Sequence, residues 1–523
     1  MRTRLFAAVF VAAVLTVPIG RLANMWNPNE TSHLMLGVAM ARGTVRLDSV
    51  IAGYGVAPQD LAERDGHAYS DKAPGLSAAA APVIATVGRA LPSASAPSGS
   101  ASAPVSVPAY WPLHHTLAFL LVVLPAAWLA LGMATAGRVS APGQTETAAD
   151  SWPAAILFSL ATPILTYGSV LFSHVPAAAL IGTAWWLAAR AERAGRWAPW
   201  EAAACGGLAG LATATEYPVA LLALVLSARV FTHRELRGRW IAFGGVAAGC
   251  AAALGAYHTA AFGGAFATGY GFKVQADQAA IHAQGLFGVA APTFERLWGV
   301  LLSARRGLVF YCPMLLLTAP GLRAMWRDDR RSAVFTVVAS VVYVAFAAGF
   351  VDWEGGWSAA SRHLVPLLPI LAPAFVRGAR EWLRGPRVAI AAAALIGASA
   401  AAAVLSVSVT PYFPEVFTNP LAEVAMRSLG DGVAFRNIVS EVTGISSLAV
   451  FVAFAAAVLG ACAAATARLS MPAWRRRAIV AFVVGVVGYP VAISLGSVRS
   501  AGPEREPYRR ELLRRIAGDG DEF

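Results

Sequence analysis

Charge is what this chain has least of. Only 13% of its 523 residues are Asp, Glu, Lys or Arg, while 57% are hydrophobic. A soluble domain carries about a quarter charged residues. A chain of this length with so little charge cannot present its surface to water, so most of it must face lipid. Lysine is nearly missing: of the 41 basic residues only Lys72 and Lys273 are not arginine. Cysteine is scarce too. Cys205, Cys250, Cys312 and Cys462 lie in or beside apolar runs with no CxxC spacing, which excludes a disulfide framework and a zinc site of the usual pattern. HExxH, Walker and dinucleotide fingerprints do not occur. No metal or bound cofactor is therefore expected, and energy for any group transfer has to arrive in an activated substrate. The net charge of +12 does not point to nucleic acid, because the basic residues are dispersed between apolar runs and form no stripe. They read as topology determinants.

What the chain has in abundance is long apolar runs. Crossing the hydrocarbon takes about 20 mostly apolar residues. Runs fall near 5–24, 113–134, 154–171, 174–190, 199–214, 217–231, 240–262, 307–322, 333–350, 364–376, 388–408, 447–467 and 478–498. They predict an all-α polytopic membrane protein with roughly thirteen spans in one integrated domain, 1–498. The first run, Leu5–Ile19, is followed by Arg21 and bulky Met25-Trp26 rather than a small-residue cleavage site, so it reads as an uncleaved span. Ala73–Leu91 is apolar but broken by Pro74 and Pro82, and reads as a helix lying at the interface. Pro92–Pro108 is a Ser/Ala/Pro-rich flexible linker.

Arginine placement orients the chain. With Arg2 and Arg4 cytoplasmic, alternate short connections carry Arg190/Arg193/Arg196, Arg234/Arg237/Arg239, Arg323/Arg327/Arg330/Arg331, Arg377/Arg380/Arg384/Arg387 and Arg468/Arg475/Arg476/Arg477, as the positive-inside bias requires. The other connections are longer and less basic: 25–112, 263–305, 351–363 and 409–446. The charged tail 499–523 then falls outside as a short amphipathic helix.

The outer loops hold nearly all polar residues that orientation does not explain. In Trp26-Asn-Pro-Asn-Glu30-Thr-Ser-His33, Asn29 is a candidate cap for a helix Glu30–Arg42. That puts Glu30 in the first turn and His33 one turn further. A carboxylate just past the first span is well placed to abstract a proton; it equally complements the helix dipole. Lys72, Arg305, Arg306 and Arg362 are predicted at outer span ends, where they suit an anion or snorkel to headgroups. His174 reads as a substrate contact or a buried hydrogen-bonding residue, and Glu216 as a span-end carboxylate. Trp353, Glu354 and Trp357 form a short loop beside Arg362, suited to a sugar ring or to the interface belt. The loop 263–305, with Tyr270, Lys273, Asp277 and His282, is a candidate lid.

Several of these stretches together resemble one family. Asn29-Glu30, then Asp65-Gly-His-Ala-Tyr69-Ser-Asp-Lys72-Ala-Pro-Gly75, are similar to the first periplasmic loop of the GT-C glycosyltransferases. The branch resembled is the protein O-mannosyltransferase and aminoarabinose-transferase-like group. Phe172-Ser-His174, Arg306-Gly-Leu-Val-Phe-Tyr-Cys-Pro313 and Trp353-Glu-Gly-Gly-Trp357-Ser-Ala-Ala-Ser-Arg362-His-Leu-Val-Pro366 follow in the same order over positions 1–377. The resemblance implies sugar transfer from a polyprenyl-phosphate donor, on the non-cytoplasmic side of a bacterial inner membrane, to a hydroxyl of a protein, glycan or lipid. It implies that Glu30 is the base, with Asp48 as the fallback because Asn29 stands where many members have Asp. It also implies that Lys72 lies beside the donor phosphate, with Arg305, Arg306 and Arg362 as further phosphate candidates and His33, Tyr69, His174, Trp353, Glu354 and Trp357 as substrate contacts. Family analogy implies inversion at the sugar carbon. The competing expectation is a transporter or lipid flippase without covalent chemistry. That reading calls for charges at the midplane and internal repeats, whereas the charges gather in outer loops and no repeat is evident.

Overall fold

A computed structural model describes residues 2–20, 27–94, 107–136, 152–386, 388–497 and 503–517. Arg21, Met25, Trp26, Arg387, residues 95–106 of the linker and the last residues of the tail lie outside the described residues. Each of the thirteen apolar runs contains helix within its described part. Among the described residues six helices are long and apolar enough to cross a membrane: Tyr110–Met133, Trp240–Phe262, Arg330–Gly349, Ala389–Val407, Ser447–Leu469 and Arg475–Gly496. Leu5–Thr16 and Tyr217–Phe231 are shorter apolar helices. The chain is an all-α, multi-pass membrane protein.

Other runs are broken, each for a local reason. The run 154–171 stops at Leu160 and restarts as Pro163–Tyr167. Thr162 caps the restart, accepting from the Ile164 amide at 3.2 Å, and Pro163 fits the first helical position, where no amide is needed. The run 307–322 is interrupted at Cys312-Pro313. Arg362–Leu367 is a tight turn of helix that leads into Leu368–Arg384.

Small residues set the helix crossings, as they do where lipid leaves no hydrophobic drive between helices. Ala389–Val407 meets the last span at Gly397 and Gly485: an added Cβ would lie 2.1 Å from Phe482 O in one case and 2.1 Å from Ala394 O in the other.

The helix His174–Ala194 gives the molecule its scale. Its 21 residues span about 30 Å, the thickness of the hydrocarbon core. Its first residue lies among histidines and acids, and Arg190 and Arg193 close its far end.

The first long outer connection is structured. Pro28–Ala41 begins two residues earlier than expected, and Asn27, not Asn29, is its cap, accepting from the Glu30 amide at 3.1 Å. Pro28 decides this, because proline takes the first helical position and pushes the cap to the residue before it. A hairpin follows, Leu61–Arg64 pairing antiparallel with His67–Ser70. Asp65 and Gly66 both have positive φ (53° and 75°), the Asp-Gly turn that suits strand twist. Gly75–Val87 packs on Pro28–Ala41 through Ala80 and Ile84. Its 13 residues reach about 20 Å, too short to cross. In the tail, Glu506–Ala517 is a helix whose Leu512 and Ile516 are buried. Arg509 ties it to Asp431 at 2.6 Å.

Candidate active site

The chain's two lysines meet. Lys72 Nζ lies 2.9 Å from Asp60 and 3.4 Å from Asp71, and Lys273 Nζ lies 2.7 Å from the other oxygen of Asp71. The hairpin presents Asp71 just after its second strand. The loop after Trp240–Phe262 crosses onto the hairpin, with Lys273 bridging to Ala62. Asp71 is fully buried. Burial opposes its ionisation, but the two ammonium groups outweigh that and hold its carboxyl below the usual range. Lys72 responds in kind: burial favours its neutral form, yet Asp60 and Asp71 keep it above its ordinary value. A cation stays ionised here only because acids were buried with it.

His33 faces this cluster from Pro28–Ala41. Its Nδ1 lies 3.4 Å from Ser77 Oγ, and its Nε2 is buried with no hydrogen-bond partner among the described residues. Burial and then the Lys72 charge push its imidazole down to about 3, so it stands there neutral.

Glu216 and His174 complete the inner wall. Glu216 is the residue at which Pro199–Thr215 ends, and His174 opens the helix beside it. His174 Nδ1 lies 3.3 Å from Glu216 Oε2, and the Ser173 hydroxyl donates to the same oxygen. Burial works against the Glu216 charge, but His174 and Ser173 prevail and hold the carboxyl well below the usual range. Both ring nitrogens of His174 lack a hydrogen bond among the described residues, Nδ1 approaching Glu216 at ion-pair distance. The ring of His363 stands edge-on to His174 at 5.7 Å. Burial, then Arg362 and His174, keep His363 neutral; Glu216 and Lys72 also act on it.

Arg362 lies over the Phe172 ring at 5.5 Å, and its Nε is buried with no hydrogen-bond partner among the described residues. The turn before it is built to let it approach. Gly355 and Gly356 have φ of 69° and 64°, and a Cβ on Gly355 would lie 3.0 Å from both Arg362 Nε and His363 Nε2. Arg306 braces the same turn. It is fully buried, and four of its five N–H groups go to the carbonyls of Glu354, Arg305, Gly356 and Phe413. Arg305 pairs with Glu354. Trp353 packs on Gly299, and Trp357 lies under Arg515 of the terminal helix.

Glu30 occupies a closed pocket of its own. Its Oε1 accepts from the Leu171 amide at 2.5 Å and lies 3.2 Å from His114 Nε2; its Oε2 accepts from Tyr412 at 2.8 Å. Burial raises the cost of its charge, and His114, Leu171 and Tyr412 more than offset it, leaving the carboxyl below the usual range. Phe172, in contact with Tyr412 at 5.9 Å, separates this pocket from Arg362. Asp48 accepts from the Ala68 amide at 3.1 Å and faces His67, and Tyr69 packs on Phe262; both serve the hairpin.

Of the residues picked out in sequence, the fold brings His33, Lys72, His174 and Arg362 together. It sets Glu30 behind Phe172. It uses Arg306 to brace the 353–358 turn and pairs Arg305 with Glu354 beside it. Sequence reasoning gave no weight to Asp60, Asp71, His363 or Glu216. Only Lys273 carried a signal, as the second lysine of the chain. Among the described residues no three His, Cys, Asp or Glu are grouped to hold a metal ion.

An open apolar groove of about 680 Å³ starts beside this cluster. Gly75, Thr215 and Pro176 lie at its mouth, and Leu76, Leu120, Leu124, Leu180 and Leu208 carry it along the spans to Trp128 and Thr183. The mouth residues are chain neighbours of Ala73-Pro74, Glu216 and His174.

No protein-family model matches this chain, and no curated protein matches it. Among solved structures it is similar to the crystal structure of ArnT from Cupriavidus metallidurans bound to undecaprenyl phosphate, at 16% identity and a TM-score of 0.48, over 98% of this chain and 76% of that one.

Proposed function

We propose that this protein is a membrane glycosyltransferase of the GT-C type that moves a sugar from a polyprenyl-phosphate donor to an acceptor hydroxyl. The observation that carries this reading is the buried Glu216–His174 pair, in ring contact with His363 beside Arg362, next to an apolar groove that Gly75 and Thr215 line. A lipid phosphate needs cations at its head and an apolar path for its tail, and the two adjoin here. In this reading the site faces away from the cytoplasm, which the arginine pattern supports, and the membrane is a bacterial inner membrane, as the family resemblance implies.

The chemistry follows from the residues. An acceptor hydroxyl is a poor nucleophile, and a base within reach speeds its attack roughly a hundredfold to ten-thousandfold. Glu30 has both oxygens engaged and is closed off, so we assign it to holding Leu171 and Tyr412 in place. The base is His174, oriented through Nδ1 by Glu216 and open at Nε2, the arrangement by which a carboxylate sets an imidazole's tautomer. The hydroxyl proton passes to His174 Nε2 as the acceptor oxygen bonds to the sugar carbon. The bond from that carbon to the phosphate oxygen breaks, and its electron pair leaves with the lipid phosphate. Lys72 and Arg362 meet the charge that grows on that oxygen. A single displacement inverts the sugar carbon.

The test is incubation of the purified full chain with labelled polyprenyl-phosphate sugars, scoring release of polyprenyl phosphate. Turnover that disappears in Glu216→Gln and Lys72→Met supports the reading. A folded protein with no turnover on any donor would leave lipid handling without chemistry as the better account.

A further inference from the structure

The loop that follows Trp240–Phe262 ends in a helix whose apolar face is turned outward. Phe294–Leu301 starts at Thr293, whose hydroxyl accepts from the Arg296 amide at 3.2 Å. Phe294, Leu297 and Trp298, with Leu302 just past the end, recur at the i, i+3, i+4 and i+8 spacing of one helical face. All four are exposed, Phe294 by 80% and Trp298 by 51%. A helix on a protein surface normally buries such a stripe against the core. Here the buried residues are Gly299 and Val300. The Arg296 guanidinium also turns to the protein and donates to the Gly349 carbonyl at 3.4 Å.

Position identifies what covers this face. Gly349 is the last residue of the span Arg330–Gly349, and the arginine pattern supports its lying away from the cytoplasm. The Ala290 amide reaches the same carbonyl at 2.9 Å. The helix therefore sits where that span leaves the hydrocarbon, and the span itself exposes Val337, Val338 and Val341. Aromatic side chains concentrate at this depth of a bilayer. Four side chains fall far short of the roughly 800 Å² per partner that a stable protein interface takes, so lipid fits the face better than a second copy of the chain. The inner side of the helix holds the turn that carries Arg362. Trp353 packs on Gly299, where an added Cβ would lie 2.5 Å from its ring. The buried Ser361 hydroxyl lies 2.7 Å from the Val300 carbonyl and 2.8 Å from the Arg306 carbonyl. Arg362 is the next residue.

We propose that the helix Phe294–Leu301 is an interfacial anchor seated in the leaflet away from the cytoplasm, with Phe294, Leu297, Trp298 and Leu302 among the headgroups and upper acyl chains, and that it sets the depth of the 353–362 turn. The anchor stands whether or not the protein transfers sugar. The positioning of the turn rests on the transfer reaction proposed above.

The test uses the full chain in phosphatidylcholine nanodiscs, with a nitroxide at Phe294→Cys in a Cys250→Ala background; the other three cysteines are buried. Collision with oxygen and with a water-soluble nickel chelate reports what surrounds the label. Val341→Cys, on the exposed side of the span, is the lipid reference, and Glu63→Cys, exposed on the hairpin, is the water reference. The oxygen-to-nickel ratio at 294 is expected to exceed that at 63 by about threefold or more. A ratio equal to that at 63 puts the face in water and overturns the anchor. A label that neither reagent reaches means that protein covers the face, and overturns it too. So does self-association of the parent in detergent that Trp298→Ser abolishes. For the turn, Phe294→Ser with Trp298→Ser should raise the donor KM about fivefold with kcat and melting temperature unchanged, and Phe294→Leu with Trp298→Phe should restore it. If the double serine variant does not purify as a single species, Phe294→Ser alone decides, with about a twofold rise expected. An active parent and a serine variant with the parental KM overturn the positioning role. A parent that turns over no donor overturns the transfer reading and the positioning role with it, and the collision ratio then judges the anchor alone.

Discussion

The two ends of the helix His174–Ala194 solve the same problem in opposite ways. Both bury charge in a protein that has little. At the arginine end the charges are mostly spent on each other: Arg229 and Arg331 on Glu192, Arg190 on Glu201. At the histidine end the cations are lysines held by Asp60 and Asp71, while His33, His174, Arg362 and His363 carry buried nitrogens with no partner among the described residues. Unsatisfied buried polar groups are costly. Arg229 carries one at the other end too, but at the histidine end four residues carry them, and a fold that groups them keeps them for something that arrives later. The comparison teaches that arginine clusters here mainly record topology, and that the site is marked by the rarer residue types.

The sharpest way to break this contrast is to exchange two buried acids, Glu216 at the site and Glu30 behind Phe172. Glu216→Gln keeps the shape and removes the charge that orients His174. Transfer, followed as lipid-phosphate release, is expected to fall by two to four orders of magnitude, with the melting temperature little changed. Glu30→Gln is expected to behave the other way, with activity within about tenfold of the parent and stability lowered by about 1–3 kcal/mol, because Leu171 and Tyr412 lose an ionised acceptor. If Glu30→Gln abolishes turnover in a folded protein while Glu216→Gln does not, the base has been assigned to the wrong pocket.

Asp71→Asn comes next. It leaves two buried ammonium groups around a neutral amide, and removing one partner of a buried ion pair costs about 3–5 kcal/mol. Denaturation in detergent should show it. The matching change at the other end, Glu201→Gln, should cost no more than about 1 kcal/mol, since its partner Arg190 is 62% exposed and exposed pairs contribute little. Equal losses would erase the distinction between the ends.

A third difference is in pH. His33 has an ordinary value of 6.5 and is pushed down to about 3 in the fold; His363 is shifted the same way. Between those values the unfolded chain binds protons that the native state refuses. Stability therefore falls as pH drops through 6.5 and is fully present above it. The slope is at most about 1.4 kcal/mol per pH unit for each histidine. Thermal unfolding from pH 7 to 4.5 measures it, and His33→Gln should flatten it. An unchanged slope would mean that His33 reaches water in the native state.

How much of this was legible beforehand follows from the range of each interaction. The spans were legible because each is a local run that must bury itself in lipid, and the arginine turns because topology is written in short loops. Lys72 stood out as one of two lysines. Its partners did not: Lys273 closes on Asp71 from about 200 positions away, through a loop that crosses onto the hairpin. His363 was hidden beside Arg362, in a turn read for its tryptophans. Glu216 read as a bland span end, because a carboxylate there acquires meaning only when another helix brings a histidine to it. Asn29 was taken for the cap although Pro28 already marked Asn27.

The smallest expected effect is the strictest test of the contrast between the two ends. Arg190 lies on the far turn, largely exposed, and pairs with Glu201, which also accepts from the Ala198 amide at 3.0 Å. Glu201 therefore keeps a backbone partner when the arginine is lost. Arg190→Gln should leave donor turnover unchanged and lower stability by less than about 1 kcal/mol. What it should change is orientation, because the positive-inside bias counts arginines in short turns and this turn holds Arg193 and Arg196 as well. One loss is tolerated. Replacing all three with glutamine should raise the fraction of chains in which a cysteine placed in this turn reacts with a membrane-impermeant thiol reagent from outside. If the triple variant inserts as the parent does, the arginines at this end serve their ion pairs rather than topology.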